Sequence, residues 1–349
     1  MNSKNLHGVV SIGGGTGLSC LLKGLKHRVL EPPIIEAPGV KPWIARLTAV
    51  VTVTDDGGSS GRLRNELQVL PPGDIRNCMV ALSTDESLLS HLFQYRFRGS
   101  GQLQGHSFGN LFLTALTGVT GDFLEAIRVS SDVLAIKGKI YPATLSDVRL
   151  EAILEDGARL HGESLISKSR SRIASLCLTP PNCRPVPAVL DAIRKADLIT
   201  VGPGSLFTSL LPNLLVPGIA RALRKSPAMK VYICNLMSQP GETIGFTAAD
   251  HVSAIYRHTG DQLFDWIILN NQPISRAVLA RYRRQGSTPI VFDRGRIASL
   301  GLNIFEDALL ARGRVVRHDP DRLAEAVYKA YKTRKDPSAR AKEEVSAKP

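Results

Sequence analysis

Short β-branched runs recur along the chain, and each breaks into Gly, Asp or Asn. "GVVSI" precedes GGGTG, "LTAVVTV" precedes TDDGGSSG, and "ADLITV" precedes GPGS. "KVYIC" precedes NLMSQPGE and "DWIIL" precedes NN. Several of these runs are uninterrupted, the pattern of strands buried on both faces of a parallel sheet, whereas strict alternation marks a half-exposed strand. Segments with helical spacing lie between them: "DIRNCMVALS", "GNLFLTALTG" and "DFLEAIRVSSDVLAI". Strands alternating with helices predict an α/β, Rossmann-like, doubly wound and mostly parallel sheet. Its first strand begins near Gly8. In such sheets ligands bind at the carboxyl ends of the strands, where the polar loops fall.

Three segments depart from this rhythm. Residues 148–166, "VRLEAILEDGARLHGESLI", read as two extended runs around Asp156-Gly157, a strong hairpin signal, and predict a small antiparallel insertion. Residues 168–187 mix Ser, Pro and Cys and read mostly as loop. The tail from 334 to 349 lacks apolar periodicity and reads as disordered. Residues 1–333 are expected to form one domain, with no internal repeat.

Composition narrows the class. A 349-residue chain that is 43% hydrophobic can bury a large core. The net charge of +13 favours anionic ligands without choosing among nucleotide, nucleic acid and acidic surface. The charge is dispersed. Its densest cluster, Arg276, Arg281, Arg283 and Arg284, reads as a solvated helix face, and no basic run interleaved with aromatics points to nucleic acid. Five cysteines, Cys20, Cys78, Cys177, Cys183 and Cys234, include no C-x-x-C pair. That argues against a zinc ribbon or disulfide framework and for a reducing compartment. No apolar run approaches the ~18 residues of a membrane span, and no signal peptide precedes the first strand, so a cytoplasmic protein is expected.

The loops carry the candidate chemistry. After the first run come Gly13, Gly14, Gly15, Thr16 and Gly17. Four glycines there cost conformational entropy, and a tight strand-to-helix turn is one reading of them. The other is an anion site made of backbone N–H groups and a helix N-terminus. The spacing matches neither the dinucleotide fingerprint nor the P-loop. Asp55 and Asp56 head the second loop and can bind a metal, hold a ribose hydroxyl or close an Asx-type turn. Ser59, Ser60 and Arg62 follow with donors for phosphate oxygens. Asp74 reads as a helix N-cap, with Arg76 and Asn77 in the first turn behind it. His106, Ser107 and Asn110 cluster at another helix start, where the histidine is an acid candidate or a capping group. Gly202, Gly204, Ser205 and Thr208 repeat the first device, and Asn235 and Gln239 can read a base or sugar edge. No Ser–His–Asp order, H-E-x-x-H or cysteine-ligand spacing emerges. The inventory is rich in anion-binding backbone and poor in general bases.

"SIGGGTGLSCLLKGLK", "TDDGGSSGRLR", "PPGDIRN", "YRF", "GHSFGNL", "GPGSLFTSLLPNLLV" and "NLMSQPGET" occur in this order. Over residues 8–275 the chain closely resembles the bacterial gluconeogenesis factor family (YvcK-like), which is related to the 2-phospho-L-lactate transferase CofD. The resemblance implies a Rossmann-like CofD fold and a cytoplasmic protein. It implies binding of a UDP-sugar such as UDP-GlcNAc and a role in cell shape on gluconeogenic carbon sources. No settled catalytic activity comes with that branch. The transferase branch is the alternative, a Mg²⁺-dependent phosphoryl-group transferase with the metal near Asp55 and Asp56. The continuation "GGSSGRLR" matches the gluconeogenesis branch. The resemblance leaves a homodimer and the protein partners open.

Overall fold

Every residue of strand β1 (His7–Gly13) is buried, which places it in the middle of a sheet instead of at an edge. In the computed structural model, which describes residues 7–30, 42–84, 88–169 and 171–335, β1 pairs in parallel with β2 (Ile44–Val51) on one side. β3 (Lys139–Pro142) extends that side. A small antiparallel sheet follows in the chain: β4 (Arg149–Leu154), β5 (Arg159–His161) and β6 (Ile173–Thr179), in the order β5-β4-β6. The chain then returns to the other side of β1 with β7 (Leu198–Val201), β8 (Met229–Ile233), β9 (Trp266–Asn270) and β10 (Asn303–Asp307). The main sheet therefore reads β10-β9-β8-β7-β1-β2-β3, all parallel.

Helices cover both faces, so alternate residues of one strand feed two cores. Val9, Leu198 and Ile268 join one cluster; Val10, Ile12, Ile199 and Ile267 join the other. The first core is closed by α1 (Gly15–Lys26), α3 (Gly73–Leu82), α4 (Leu88–Gln94), α5 (Phe108–Thr120) and α6 (Phe123–Val133). The intervening α2 (Gly58–Leu67) and the short α7 (Glu163–Ile166) lie beside the polar loops. The second core is closed by α8 (Pro187–Arg194), α9 (Leu211–Leu215), α10 (Ile219–Lys225), α11 (Ala248–Thr259) and α13 (Arg294–Ser299). α12 (Arg276–Arg284) buries none of its residues, as expected of a solvated basic face. The last helix, α14 (Pro320–Lys335), returns to the first core and lays Tyr328 on Trp43 with ring centroids 4.9 Å apart.

The doubly wound sheet and the Asp156-Gly157 hairpin follow the sequence pattern. Three features differ from it. The segment expected to be mostly loop contains β6, which pairs with β4. In Ile173–Thr179 the residues Ile173, Leu176 and Leu178 are buried while Ser175, Cys177 and Thr179 are exposed, so a half-buried strand hides between Ser- and Pro-rich flanks. β3 and β10 carry no uninterrupted apolar run because they are the edges of the main sheet. α14 runs through Lys335, two residues into the expected tail, and 336–349 lie outside the described residues. All five cysteines are free. Among the described residues no single helix is long and apolar enough to cross a membrane.

Candidate functional site

The strand order reverses between β1 and β7, the position at which doubly wound sheets place their ligand crevice. α1 starts at Gly15, whose φ of +60° suits glycine, and no side chain caps the helix. A Cβ on Gly17 would stand 2.3 Å from the Pro203 carbonyl oxygen, so Gly17 lets α1 touch the 202–205 loop. A Cβ on Gly14 would stand 2.5 Å from Asp74 Oδ2, and the Gly15 amide donates to that carboxylate. Asp74 is thus not the N-cap expected from the sequence. Pro72 holds that position, and Asp74, one residue inside α3, reaches across to the amino end of α1. Burial, and then the charge of Asp55, push its carboxyl up to about 6. Thr16 is exposed at the mouth, and the Gly13 carbonyl accepts from Thr52 N and Asn213 Nδ2.

The opposite wall is knitted together internally. Gly202 has φ +89°. Asn235 accepts from Gly204 N at 3.1 Å and donates to Gly204 O at 2.8 Å. Ser205 Oγ donates to Gln239 Oε1 at 2.7 Å, and Gln239 Nε2 donates to Glu242 at 2.9 Å. Glu242 also accepts from Thr208 Oγ1 and Phe207 N, at the start of a π-helical turn, Leu206–Leu210. Burial raises the Glu242 carboxyl. The residues expected to read a ligand edge therefore hold two loops in register.

The acidic pair splits. Asp55 Oδ1 accepts from Gly57 N at 2.9 Å, closing the Asx-type turn. Asp56 Oδ1 accepts from Ser164 N at 2.9 Å and clamps α7. Glu163, which lies outside every motif loop in the sequence, hydrogen-bonds to Asp55. Burial first, and then Asp55 and Asp74, push the Glu163 carboxyl up to about 9. Each acid thus spends one oxygen on a different backbone amide. Among the described residues no group of three or more His, Cys, Asp or Glu is placed to hold a metal ion.

Between α2, α3 and α5 lies a cavity of about 250 Å³. The sequence candidates Asp55, Ser59, Ser60, Asp74, Arg76, Asn77 and Asn110 all reach it, and Arg96 joins them. Arg96 sits in the "YRF" motif, the only sequence signal for it. Behind Ser59, the buried His106 Nδ1 lies 3.0 Å from Ser59 Oγ, and Asn110 Nδ2 donates to the same oxygen at 3.1 Å. Burial, and then Arg62, lower the His106 pKa, which favours the neutral ring. Ser107 Oγ donates to Phe93 O. Arg62 turns away from the cavity and donates to Gln104 O at 2.6 Å. A larger hollow of about 310 Å³, between Ala196, Pro227 and Arg334, lies at the amino edge of the sheet, apart from every motif loop.

The profile of the family described as "2-phospho-L-lactate transferase CofD" matches residues 9–310. The chain is 47% identical over 317 residues to the gluconeogenesis factor of Bacillus subtilis, covering 90% of this chain and 95% of that protein. It is 47% identical over 328 residues to the gluconeogenesis factor of Halalkalibacterium halodurans, covering 94% and 96%. A crystal structure of a UPF0052 family protein from Bacillus halodurans superposes with a TM-score of 0.86 at 46% identity, covering 93% of this chain and 99% of that one.

Proposed function

The chain belongs to the CofD-like family of gluconeogenesis factors, and from that premise we propose that it is a cytoplasmic sugar-nucleotide-binding regulator. Its ligand is a UDP-sugar such as UDP-GlcNAc, and its role is to sustain cell shape on gluconeogenic carbon sources. The observation that carries this reading is the polar cavity beyond the carboxyl end of β2, joined to the amino end of α1 through Asp74. It gathers side chains from four segments, 55–60, 73–77, Arg96 and Asn110. A diphosphate needs clustered donors, and Ser59, Ser60, Arg76, Asn77 and Asn110 supply them.

Binding without turnover fits the side chains better than catalysis does. Catalysis needs groups that act more strongly in the transition state than in the ground state. Ser59 Oγ, 3.0 Å from His106 Nδ1, already accepts from Asn110 Nδ2 at 3.1 Å and from Ser107 N at 3.4 Å, bonds that hold it in the protein's own network. UDP-GlcNAc is therefore expected to bind with micromolar affinity and to survive long incubation with stoichiometric protein. Chromatography in Mg²⁺ and in EDTA is the test. Protein-dependent release of UDP, UMP or free sugar would replace this reading with the transferase one.

A further inference from the structure

α5 is apolar on its solvent side. Its inner face, Gly109, Asn110, Leu113 and Thr114, is buried. Steps of three and four residues put Phe108, Leu111, Phe112, Ala115, Gly118 and Val119 together on the outer face. Ala115, Gly118 and Val119 are exposed, Val119 at 83%, and the other three are half-buried. An amphipathic surface helix turns polar residues outward, and a helix that is apolar all round belongs in an interior. α4 lies beside it, with the Phe93 ring centroid 5.1 Å from that of Phe112. It turns Leu88 and Leu92 outward, 84% and 38% exposed. Single apolar residues on a surface are ordinary, but adjoining helices with apolar outer faces mark a contact surface.

Two further observations say what covers this face. The first is charge. The chain carries 44 Lys and Arg and 31 Asp and Glu, yet residues 99–121 contain none of them and neither does α4. With a net charge of +13, copies of this chain repel one another. In a twofold contact a residue near the axis meets its own copy, so a charge there meets a like charge. A second copy therefore requires an uncharged face, whereas a different protein is selected by opposite charges.

The second observation is Gly118. It lies inside α5 without a positive φ, and a Cβ there would meet nothing within 4 Å. Glycine inside a helix is less stable than alanine, and no close neighbour among the described residues requires it. It stands two turns from Leu111 on the same face, with Ala115 between them. When two α5 helices cross antiparallel near Ala115, Leu111 of each copy faces Gly118 of the other, and the missing side chain makes room for the leucine.

We propose that the outer faces of α4 and α5 are the interface of a twofold dimer of this chain, built on antiparallel α5 helices with Leu111 of each copy seated over Gly118 of the other. The dimer does not rest on the sugar-nucleotide reading. α5 also carries Asn110 to the cavity wall, so interface and cavity share one helix.

Sedimentation equilibrium of the intact protein over a wide range of concentration is the test, and twice the chain mass is expected. Ala115→Lys and Ala115→Glu each place like charges across the axis at an exposed position. Each is expected to keep the far-ultraviolet circular dichroism of the parent and to weaken association at least about a hundredfold. An equal mixture of the two is expected to regain the dimer, because Lys of one copy then meets Glu of the other. Gly118→Leu fills the space that Leu111 needs. It is expected to dissociate the dimer without lowering the melting temperature of the dissociated chain, since leucine favours a helix. A monomer at every concentration, a dimer untouched by all three substitutions, or no recovery on mixing would overturn the proposal. A monomer that sediments with phosphatidylcholine vesicles would also overturn it and assign the face to lipid.

Discussion

Gly17 shows how a residue that reads as part of a ligand loop serves packing. The nearest neighbour of a side chain there is the Pro203 carbonyl, backbone that cannot swing aside. Gly17→Ala gains about 1 kcal/mol of helix propensity and meets an overpacking cost of about 1–3 kcal/mol. A net loss of stability is expected, read as a lower urea midpoint at unchanged slope; a variant as stable as the parent would show that α1 and the 202–205 loop are not in close contact. Asp74 makes the same point from the other side. Its sequence position suits a cap, but its carboxyl lies against Gly14 and Gly15 of another loop.

At the scale of elements, the hairpin sheet is fastened to the crevice through α7. Asp56 receives the Ser164 amide, and Glu163 shares a proton with Asp55. The Glu163 carboxyl is raised from 4.5 to about 9, so the folded state holds this proton more tightly than the unfolded chain does. The contribution to stability is therefore full below pH 4.5 and is lost as pH rises toward 9. Glu163→Gln keeps a donor to Asp55 and removes the titration. Its melting temperature is expected to gain on the parent's progressively across that range. A difference that stays constant with pH would mean that the fastening is not proton-linked.

For the molecule as a whole, the first and last described elements, β1 with α1 and α14, meet in one core. Leu323, Val327 and Tyr331 of α14 are buried in the cluster that α1 and β1 supply. Each large apolar side chain contributes about 1.5–3 kcal/mol on burial, against a total stability of about 5–15 kcal/mol. A chain ending at Asp319 is expected to lose its cooperative thermal transition and to expose apolar surface to a hydrophobic dye. Retention of a sharp transition would mean that α14 is an appendage.

Sequence alone determined the strands whose runs are buried on both faces, the Asp156-Gly157 turn and the placement of polar loops at strand ends. Each is a local matter of periodicity or turn chemistry. It also determined most of the cavity's lining, because Ser59, Asp74, Arg76 and Asn110 fall in those loops. Tertiary structure decided what depends on which loops meet. It paired β6 with β4 and gave Asp55 and Asp56 different backbone partners, Gly57 and Ser164. It also brought Glu163 to Asp55 and set Arg96 opposite Arg76. Periodicity records which face of an element is buried. It does not record which side chains from distant segments converge, because strand order and helix packing set that distance.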